Sequence, residues 1–224
     1  MTTYQQFTLD TESAKQADGG GRIETTGKYT GVIKSMEFVT SRKGTQGFEV
    51  NFETDSKEYT TFQIWTSKAD GSALSGVKQV NALLACVGVR GLTPTSQQLE
   101  KWDYDVGQKV KKSCVVAPEM TGKRVGLLLQ RENYINGNGQ PRHEMKFSAS
   151  FNAESELMAK EILERKTTPE LLNKALDRLI ASGDATRQQS GATQNNSYAQ
   201  SQGGGYGQPQ NNQAPNDLDD DLPF

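Results

Sequence analysis

The chain has 224 residues, of which 33% are hydrophobic and 23% are charged, and its formal net charge is −2. Two cysteines and one histidine exclude a disulfide-rich scaffold and leave little material for a metal cluster. No apolar run approaches the ~20 residues of a membrane span, and the polar N-terminus lacks the apolar core of a signal peptide, which predicts a cytoplasmic protein with two free, packed thiols.

The first elements in the chain are three predicted strands. Residues 1–21 are polar and glycine-rich, and we expect them to be a flexible N-terminal segment. Residues 26–39 are rich in β-branched and aromatic side chains. Residues 47–54 alternate large apolar with polar side chains, and residues 58–66 follow after a short turn. Three strands joined by short turns predict an antiparallel meander.

The hydrophobic period then changes to that of a helix. Apolar side chains recur at helical spacing over residues 77–87, with Ser75 as a candidate N-cap and Gly88 as the C-terminal stop. A short helical or irregular stretch is expected at residues 95–101. Strands resume at residues 109–117.

A hairpin ends the predicted β-rich part. Residues 123–135 and 140–151 flank Asn136-Gly137, a strong short-range hairpin signal. Three strands, a helix and further strands form the element order of a five-stranded oligonucleotide-binding (OB) barrel. The pattern also permits another small barrel or an open sheet with a helix across it. We predict a mainly β protein with an OB-fold-like domain over residues 22–151.

A helical extension is predicted at residues 152–183, with two apolar stripes. The second helix is expected to start at Thr167-Thr168-Pro169-Glu170, with Pro169 in its first turn, and to stop at Gly183. Its stripe would dock on the barrel or on a second copy of the chain, which leaves a homodimer open. The residues of that stripe are Leu171, Leu172, Leu176 and Leu179.

Charge is divided between the predicted domain and the C-terminal tail. Residues 22–151 carry 18 basic and 13 acidic side chains, a net charge of +5. Residues 184–224 carry one basic and five acidic side chains, and 21 of these 41 residues are Gln, Asn, Gly or Ser. Such a composition cannot bury enough apolar surface to fold, so a disordered linker is expected here. A mildly basic body with an acidic tail indicates an anionic partner for the body.

Side chains for catalysis are sparse. His143 lies between Arg142 and Glu144, an arrangement more typical of a surface pair than of a general base. Neither cysteine is spaced for metal binding with it, and no glycine-rich phosphate loop is present. The sequence therefore predicts a protein that is not an enzyme and needs no metal or cofactor.

Basic and aromatic side chains are interleaved along the predicted strands. Single-stranded nucleic acid requires this combination, because cations follow the phosphates and flat rings stack on the bases. Alternation on the third strand predicts Phe62 and Ile64 inward and Tyr59 and Trp65 outward. Trp102 could cover the end of the barrel instead of touching DNA, and the sequence leaves both interpretations open. The predicted contacts to single-stranded DNA are Lys34, Phe38, Arg42, Lys43, Tyr59, Trp65, Lys109, Lys111, Lys112, Arg124, Arg131, Tyr134 and Arg142.

The last eight residues form a distinct motif, Asp217-Leu218-Asp219-Asp220-Asp221-Leu222-Pro223-Phe224, in which an acidic run ends in an apolar tripeptide. It resembles the tip Asp-Asp-Asp-Ile-Pro-Phe of bacterial-type single-stranded DNA-binding proteins, with Leu222 in place of isoleucine. The resemblance implies recruitment of replication, recombination and repair enzymes. The residues that would form this partner-binding tip are Asp217, Asp219, Asp220, Asp221, Leu222, Pro223 and Phe224.

Two segments of the body, residues 27–33 and 121–127, loosely resemble phage-encoded single-stranded DNA-binding proteins, which implies a viral protein acting in the host cytoplasm. The combined prediction is a protein that coats and protects single strands without sequence preference and recruits partner enzymes through its tip. The alternative is a replication adaptor that binds partner proteins without touching DNA. A nuclease or other DNA enzyme is a third, weaker hypothesis.

Overall fold

The computed structural model describes residues 20–103 and 106–187, together with Thr8. In these residues the chain is mainly β, with one sheet, three α-helices and a 3-10 turn at Pro118–Met120. The strands are β1 (Gly27–Thr40), β2 (Gln46–Thr54), β3 (Tyr59–Ser67), β4 (Thr95–Asp103), β5 (Gln108–Val116), β6 (Arg124–Ile135), β7 (Pro141–Phe151) and β8 (Ala185–Thr186). The helices are α1 (Gly76–Val87), α2 (Ala159–Leu163) and α3 (Leu171–Ser182).

Strand β1 is shared between two parts of the sheet. One edge pairs antiparallel with β2, which in turn pairs with β3, so the predicted meander is confirmed. The other edge of β1 pairs with β6 from Gly27 to Val32 and meets β5 where Glu37 lies opposite Val116. A β-bulge between Ile33 and Ser35 interrupts the β1–β2 ladder, and such a bulge bends the strand and changes which side chains face inward.

The core lies on the inner face of the meander. Ile33 and Met36 of β1 are fully buried with Phe52 of β2. On the far side, β7 returns alongside β3, and the rings of Phe62 and Phe147 stack with their centroids 5.4 Å apart. No backbone ladder joins β3 to β7 within the described strands. Phe48, Phe52, Phe147 and Phe151 are all buried, as their alternation with polar residues predicts.

Helix α1 packs across this core through Val80, Leu83 and Cys86. It approaches β3 so closely at Gly76 that an added Cβ atom would lie 2.0 Å from the carbonyl oxygen of Trp65. Gly88 ends the helix in the left-handed conformation with φ 70°, which confirms the predicted stop. Both cysteines of the chain are buried and free, as expected.

The apolar stripe of α3 packs against its own chain. Leu172 and Leu179 are buried in a cluster with Leu128 of β6 and Phe151 of β7. The docking interpretation is therefore confirmed, and these two leucines are not available to a second copy. The helix begins at Leu171, so Pro169 precedes it rather than occupying its first turn. None of the helices in the described ranges is long and apolar enough to cross a membrane.

A single buried carboxylate holds the starts of α2 and α3 together. Glu161 is 0% exposed, and its oxygens accept hydrogen bonds from the backbone N–H groups of Met158 (2.9 Å), Glu170 (2.6 Å) and Leu171 (2.9 Å). Burial opposes ionisation, but these three N–H donors outweigh it and lower the pKa of Glu161 below its ordinary value. Glu161 thus satisfies donors that would otherwise be unpaired at two helix starts.

Strands β4 and β5 form a two-stranded ribbon that we call the arm (residues 95–116). The helical or irregular structure predicted for residues 95–101 is wrong, because that segment is strand β4. Its side chains are mostly polar and carry no apolar period, and the strand is formed by pairing with β5 from Thr95 opposite Val116 onwards. The arm and β8 give the chain more strands than the five expected for the barrel.

Strand β8 shows that regular secondary structure continues past residue 184, where the disordered tail was predicted to start. Its two residues pair in parallel with Glu132 and Asn133 of β6. The ladder between β1 and β6 stops at Gly27 opposite Leu129, so β8 occupies the same edge of β6 farther along.

Candidate nucleic-acid interface

The side of β1, β2 and β3 that points away from the core is here called the outer face. On β3 the burial alternates as predicted: Phe62 and Ile64 are 3% and 1% exposed. Tyr59 is 50% exposed and Trp65 is half-buried, and both belong to the outer face. The predicted orientation of these four side chains is confirmed.

Tyr59 and Trp65 lie at opposite ends of the polar part of the outer face, which we call the floor. They are six residues apart on one strand, or ~20 Å at the usual rise of a β-strand. Between them lie Thr61 and Gln63, and the Thr61 hydroxyl donates a hydrogen bond of 2.5 Å to Asn51 of β2. The exposed Thr61 therefore offers a hydroxyl between the two rings, whereas Gln63 is half-buried and donates a hydrogen bond of 3.4 Å to Glu49.

Trp65 lies at the end of the sheet where the β1–β2 loop is found. Gly47 is its partner on β2, so no neighbouring side chain covers it from that strand. A Cβ atom on Gly47 would lie 2.3 Å from the carbonyl oxygen of Ile64, which fixes glycine at this position. Beyond Trp65 the strands end: β1 is followed by the exposed loop residues Arg42 and Lys43, and β3 is followed by the exposed Lys68.

The floor is electrically neutral rather than cationic. It carries Glu37, Glu49 and Glu53, and each has a lysine partner. Lys101 reaches from the arm to Glu37 (2.6 Å) and Glu49 (3.1 Å). Partial burial of Lys101 works against its charge, but the two carboxylates raise its pKa above the ordinary value.

Two predicted DNA contacts of this region, Lys34 and Phe38, have partners within the chain. Lys34 lies 3.6 Å from Glu53, which also binds Lys57. Phe38 faces inward and packs on Phe48 with the ring centroids 4.7 Å apart. The bulge after Ile33 reverses the alternation of β1, so the ring of Phe38 lies on the core side and not on the outer face.

Arg124 is also engaged within the chain. Its guanidinium donates two parallel hydrogen bonds of 2.6 and 2.7 Å to Asp55, in the turn after β2. The hydrogen bond from Arg124 is the main reason that the pKa of Asp55 is lowered. This geometry gives Arg124 a structural role in joining β6 to the β2–β3 turn.

Arg131, Tyr134 and Arg142 come together at a different place, the β6–β7 hairpin, where they line a cavity of about 380 Å³ with Arg187. Arg131 donates to Asn133 (3.0 Å) and lies 3.8 Å from Asp184. The guanidinium of Arg187 covers the ring of Tyr134 at 4.9 Å from its centroid. Of the three predicted contacts only Arg142 is exposed, with a hydrogen bond to Gln140.

Arg187 also anchors the start of the tail. It binds the buried carboxylate of Glu132 at 2.6 Å and the carboxylate of Glu144. Lys146 lies 3.1 Å from Glu132 as well. Burial opposes the charge of Glu132, but hydrogen bonds from Arg187 and Lys146 outweigh it and lower the pKa of its carboxyl.

The arm divides the three predicted lysines of β5 between two faces. Lys112 shares the face of Leu99 and Lys101 that is turned toward the sheet, whereas Lys109 and Lys111 share the opposite face with Trp102. Trp102 is 52% exposed, so of the two interpretations left open by the sequence, the exposure argues against a cover for the barrel. Strand alternation, applied to a correct assignment of β4, would have identified it as an outward ring.

The residues of the acidic tip, from Asp217 to Phe224, lie outside the described residues. Within the described ranges, no group of three or more His, Cys, Asp and Glu side chains is arranged to hold a metal ion. No protein-family model matches the chain, and no curated protein matches it either.

Proposed function

We propose that the chain binds single-stranded DNA without sequence preference and protects it during replication, recombination or repair. The observation that carries this proposal is the outward orientation of Tyr59 and Trp65 at the two ends of a polar floor. Neither ring contributes to the core cluster of the sheet. Rings presented in this way suit stacking on unpaired bases, and each stacked base contributes about 1–3 kcal/mol.

The proposed mode of binding follows from the charges around the floor. Every base has a flat face, so the two rings bind different sequences comparably. The lysine-paired carboxylates of the floor neither attract nor strongly repel a phosphate chain. The phosphates would be held mainly at the Trp65 end, where Arg42 and Lys68 are exposed and make no salt bridge in the described part of the chain.

The strand connections support an OB-like arrangement of the body. Strands β1, β2 and β3 form the meander, α1 follows, and the β6–β7 hairpin pairs with β1 and returns to β3. That order matches the one expected for an OB barrel. In this proposal the arm is an insertion between α1 and β6.

The deciding experiment is an anisotropy titration of the full chain with a labelled oligothymidine of about 20 nucleotides, longer than the ~4–16 nucleotides bound by one OB domain. We expect saturable binding that weakens as salt is raised. Replacing Arg42 and Lys68 by glutamine should reduce the slope of log affinity against log salt by about 2, one unit for each lost phosphate contact.

The matched control replaces Lys174 and Arg178, two exposed cations of α3, by glutamine. This control should retain the slope of the unaltered chain. Absence of binding at low salt would contradict the proposal and favour the adaptor that binds only proteins. If the salt slope falls equally in the Arg42/Lys68 variant and in the Lys174/Arg178 control, Arg42 and Lys68 are not part of the interface.

We infer from the resemblance of the last eight residues that they recruit partner enzymes. Deleting residues 217–224 should then leave the affinity for oligothymidine equal or slightly higher at low salt, because a cluster of carboxylates is removed. The same deletion should abolish co-purification of replication and repair enzymes with the chain. Loss of DNA binding on deletion would contradict this division of labour.

A further inference from the structure

The outer surface of the arm carries an exposed ring among charged side chains. Trp102 of β4 lies directly opposite Lys109 of β5, and Lys111 is the next residue of β5 on the same side. In such pairs the Cβ atoms are about 4.5–5.5 Å apart when directly opposite and ~7–8 Å apart on the diagonal. A molecule that stacks on the ring of Trp102 would therefore lie within reach of two lysine ammonium groups.

Trp102 is not part of the packed core of the described residues. It is 52% exposed and belongs to neither buried apolar cluster of the described residues. The arm is attached to the sheet instead by the pairing of β5 with β1 and, from its other side, by Lys101 with Glu37 and Glu49. A ring exposed in this way is free to stack on a flat group of another molecule, so the side chains around it decide what it could bind.

The charges beside Trp102 identify the chemistry of that molecule. Lys109 and Lys111 are exposed, and neither makes a salt bridge within the described part of the chain. Glu100 lies opposite Lys111, so these three side chains together carry one net positive charge. A flat ring flanked by ammonium groups complements a base and its adjoining phosphates.

The outer surface of the arm is separate from the floor that holds Tyr59 and Trp65. Side chains of β4 alternate between the two sides of the ribbon, so Lys101 points to the sheet and Trp102 points away from it. A strand lying on the floor would not reach the Trp102 side of the arm without passing around its edge.

We propose that the outer surface of the arm is a second contact for single-stranded nucleic acid, with Trp102 stacking on a base and Lys109 and Lys111 binding phosphates. This inference extends the proposed function and depends on it for the class of ligand. The chain therefore engages a strand on two sides, at the floor and at the arm.

The test uses the fact that Trp65 and Trp102 are the two tryptophans of the chain. In the Trp65→Phe variant all tryptophan fluorescence comes from Trp102, and in the Trp102→Phe variant it comes from Trp65. Each full-length variant is titrated with oligothymidine of about 30 nucleotides, long enough to pass beyond a single ~4–16-nucleotide site. We expect saturable quenching in both variants.

The outcomes separate the two proposals. Quenching of Trp65 with an unchanged Trp102 signal would overturn the second contact and leave the proposed function standing. If oligothymidine quenches neither tryptophan and does not change the anisotropy, both the second contact and the proposed function are overturned. Replacing Trp102 by alanine should weaken binding about 5- to 150-fold, the loss expected for one stacked base, without shifting the thermal unfolding midpoint. Unchanged affinity would also overturn the second contact.

Charge variants give an independent check of the phosphate contacts. Replacing Lys109 and Lys111 by glutamine should reduce the salt slope by about 2, whereas Glu100→Gln should tighten binding because it removes a carboxylate from beside the phosphates. The matched control is again Lys174 with Arg178. No difference between the β5 pair and this control, together with no effect of Glu100→Gln, would overturn the proposal.

Discussion

Replacing both Tyr59 and Trp65 by alanine is expected to weaken binding of oligothymidine by about 2–6 kcal/mol, the sum of two stacked bases at ~1–3 kcal/mol each. The two rings occupy opposite ends of the floor, ~20 Å apart along β3, so their contributions should be nearly additive. Anisotropy titrations of the two single variants and of the double variant would measure this. Each single variant should lose about half of the total.

The control for this prediction is Ile180→Ala, which removes an exposed apolar side chain from α3. Its affinity for oligothymidine should equal that of the unaltered chain. Trp65→Phe, which keeps a flat ring, should retain most of the affinity that Trp65→Ala loses. Unchanged affinity in the double alanine variant would remove the floor from the binding surface.

Glu161→Ala is expected to reduce the free energy of unfolding by about 3 kcal/mol or more, because three backbone N–H groups lose their acceptor and each unsatisfied buried donor costs at least ~1 kcal/mol. Glu161→Gln, which keeps one acceptor oxygen, should lose less. Urea unfolding would give both values. The control is Glu164→Ala, whose exposed pair with Lys160 at 3.8 Å should contribute less than about 1 kcal/mol. A loss no larger than that of Glu164→Ala would contradict the role given to Glu161.

The same carboxylate predicts a dependence of stability on pH. The pKa of Glu161 is lower in the folded chain than its ordinary value of 4.5. Its contribution to stability is therefore complete above pH 4.5 and is lost as the pH falls through the lower, folded pKa. Unfolding measured from neutral pH downward should show a shallower acid-side decline for Glu161→Gln than for the unaltered chain. Equal declines would contradict this prediction.

Much of the fold was predictable because the alternation of apolar and polar residues in a strand can be read from that strand alone. The alternation of Phe48, Val50 and Phe52 marks a half-buried strand whatever its neighbours are. The orientation of Tyr59 and Trp65 followed from the same alternation. Gly88 ended α1 as expected, because glycine adopts the left-handed conformation required there without strain.

The features that the sequence did not predict depend on partners distant in the chain. Residues 95–101 show no apolar period, and they form a strand only because β5 supplies the other half of the ribbon. Phe38 was assigned to the wrong face because the bulge after Ile33 is visible only in the pairing with β2.

Ion pairing was equally hidden in the sequence. Arg124 and Asp55 are 69 positions apart, and nothing in either segment indicates a bidentate pair. Arg187 was counted with a tail expected to lack structure, yet it binds the buried carboxylate of Glu132. A count of basic residues therefore overestimates how many cations are available to phosphates.

The short strand β8 has a consequence for how the body ends. A strand edge with unpaired N–H and C=O groups is a template for sheet extension by another chain, and Ala185 and Thr186 occupy that position beside Glu132 and Asn133. A protein shortened before Ala185 would present this edge to its neighbours and lose the Arg187 partner of Glu132. We expect such a shortened chain to associate through this edge more readily than one that retains β8 and Arg187.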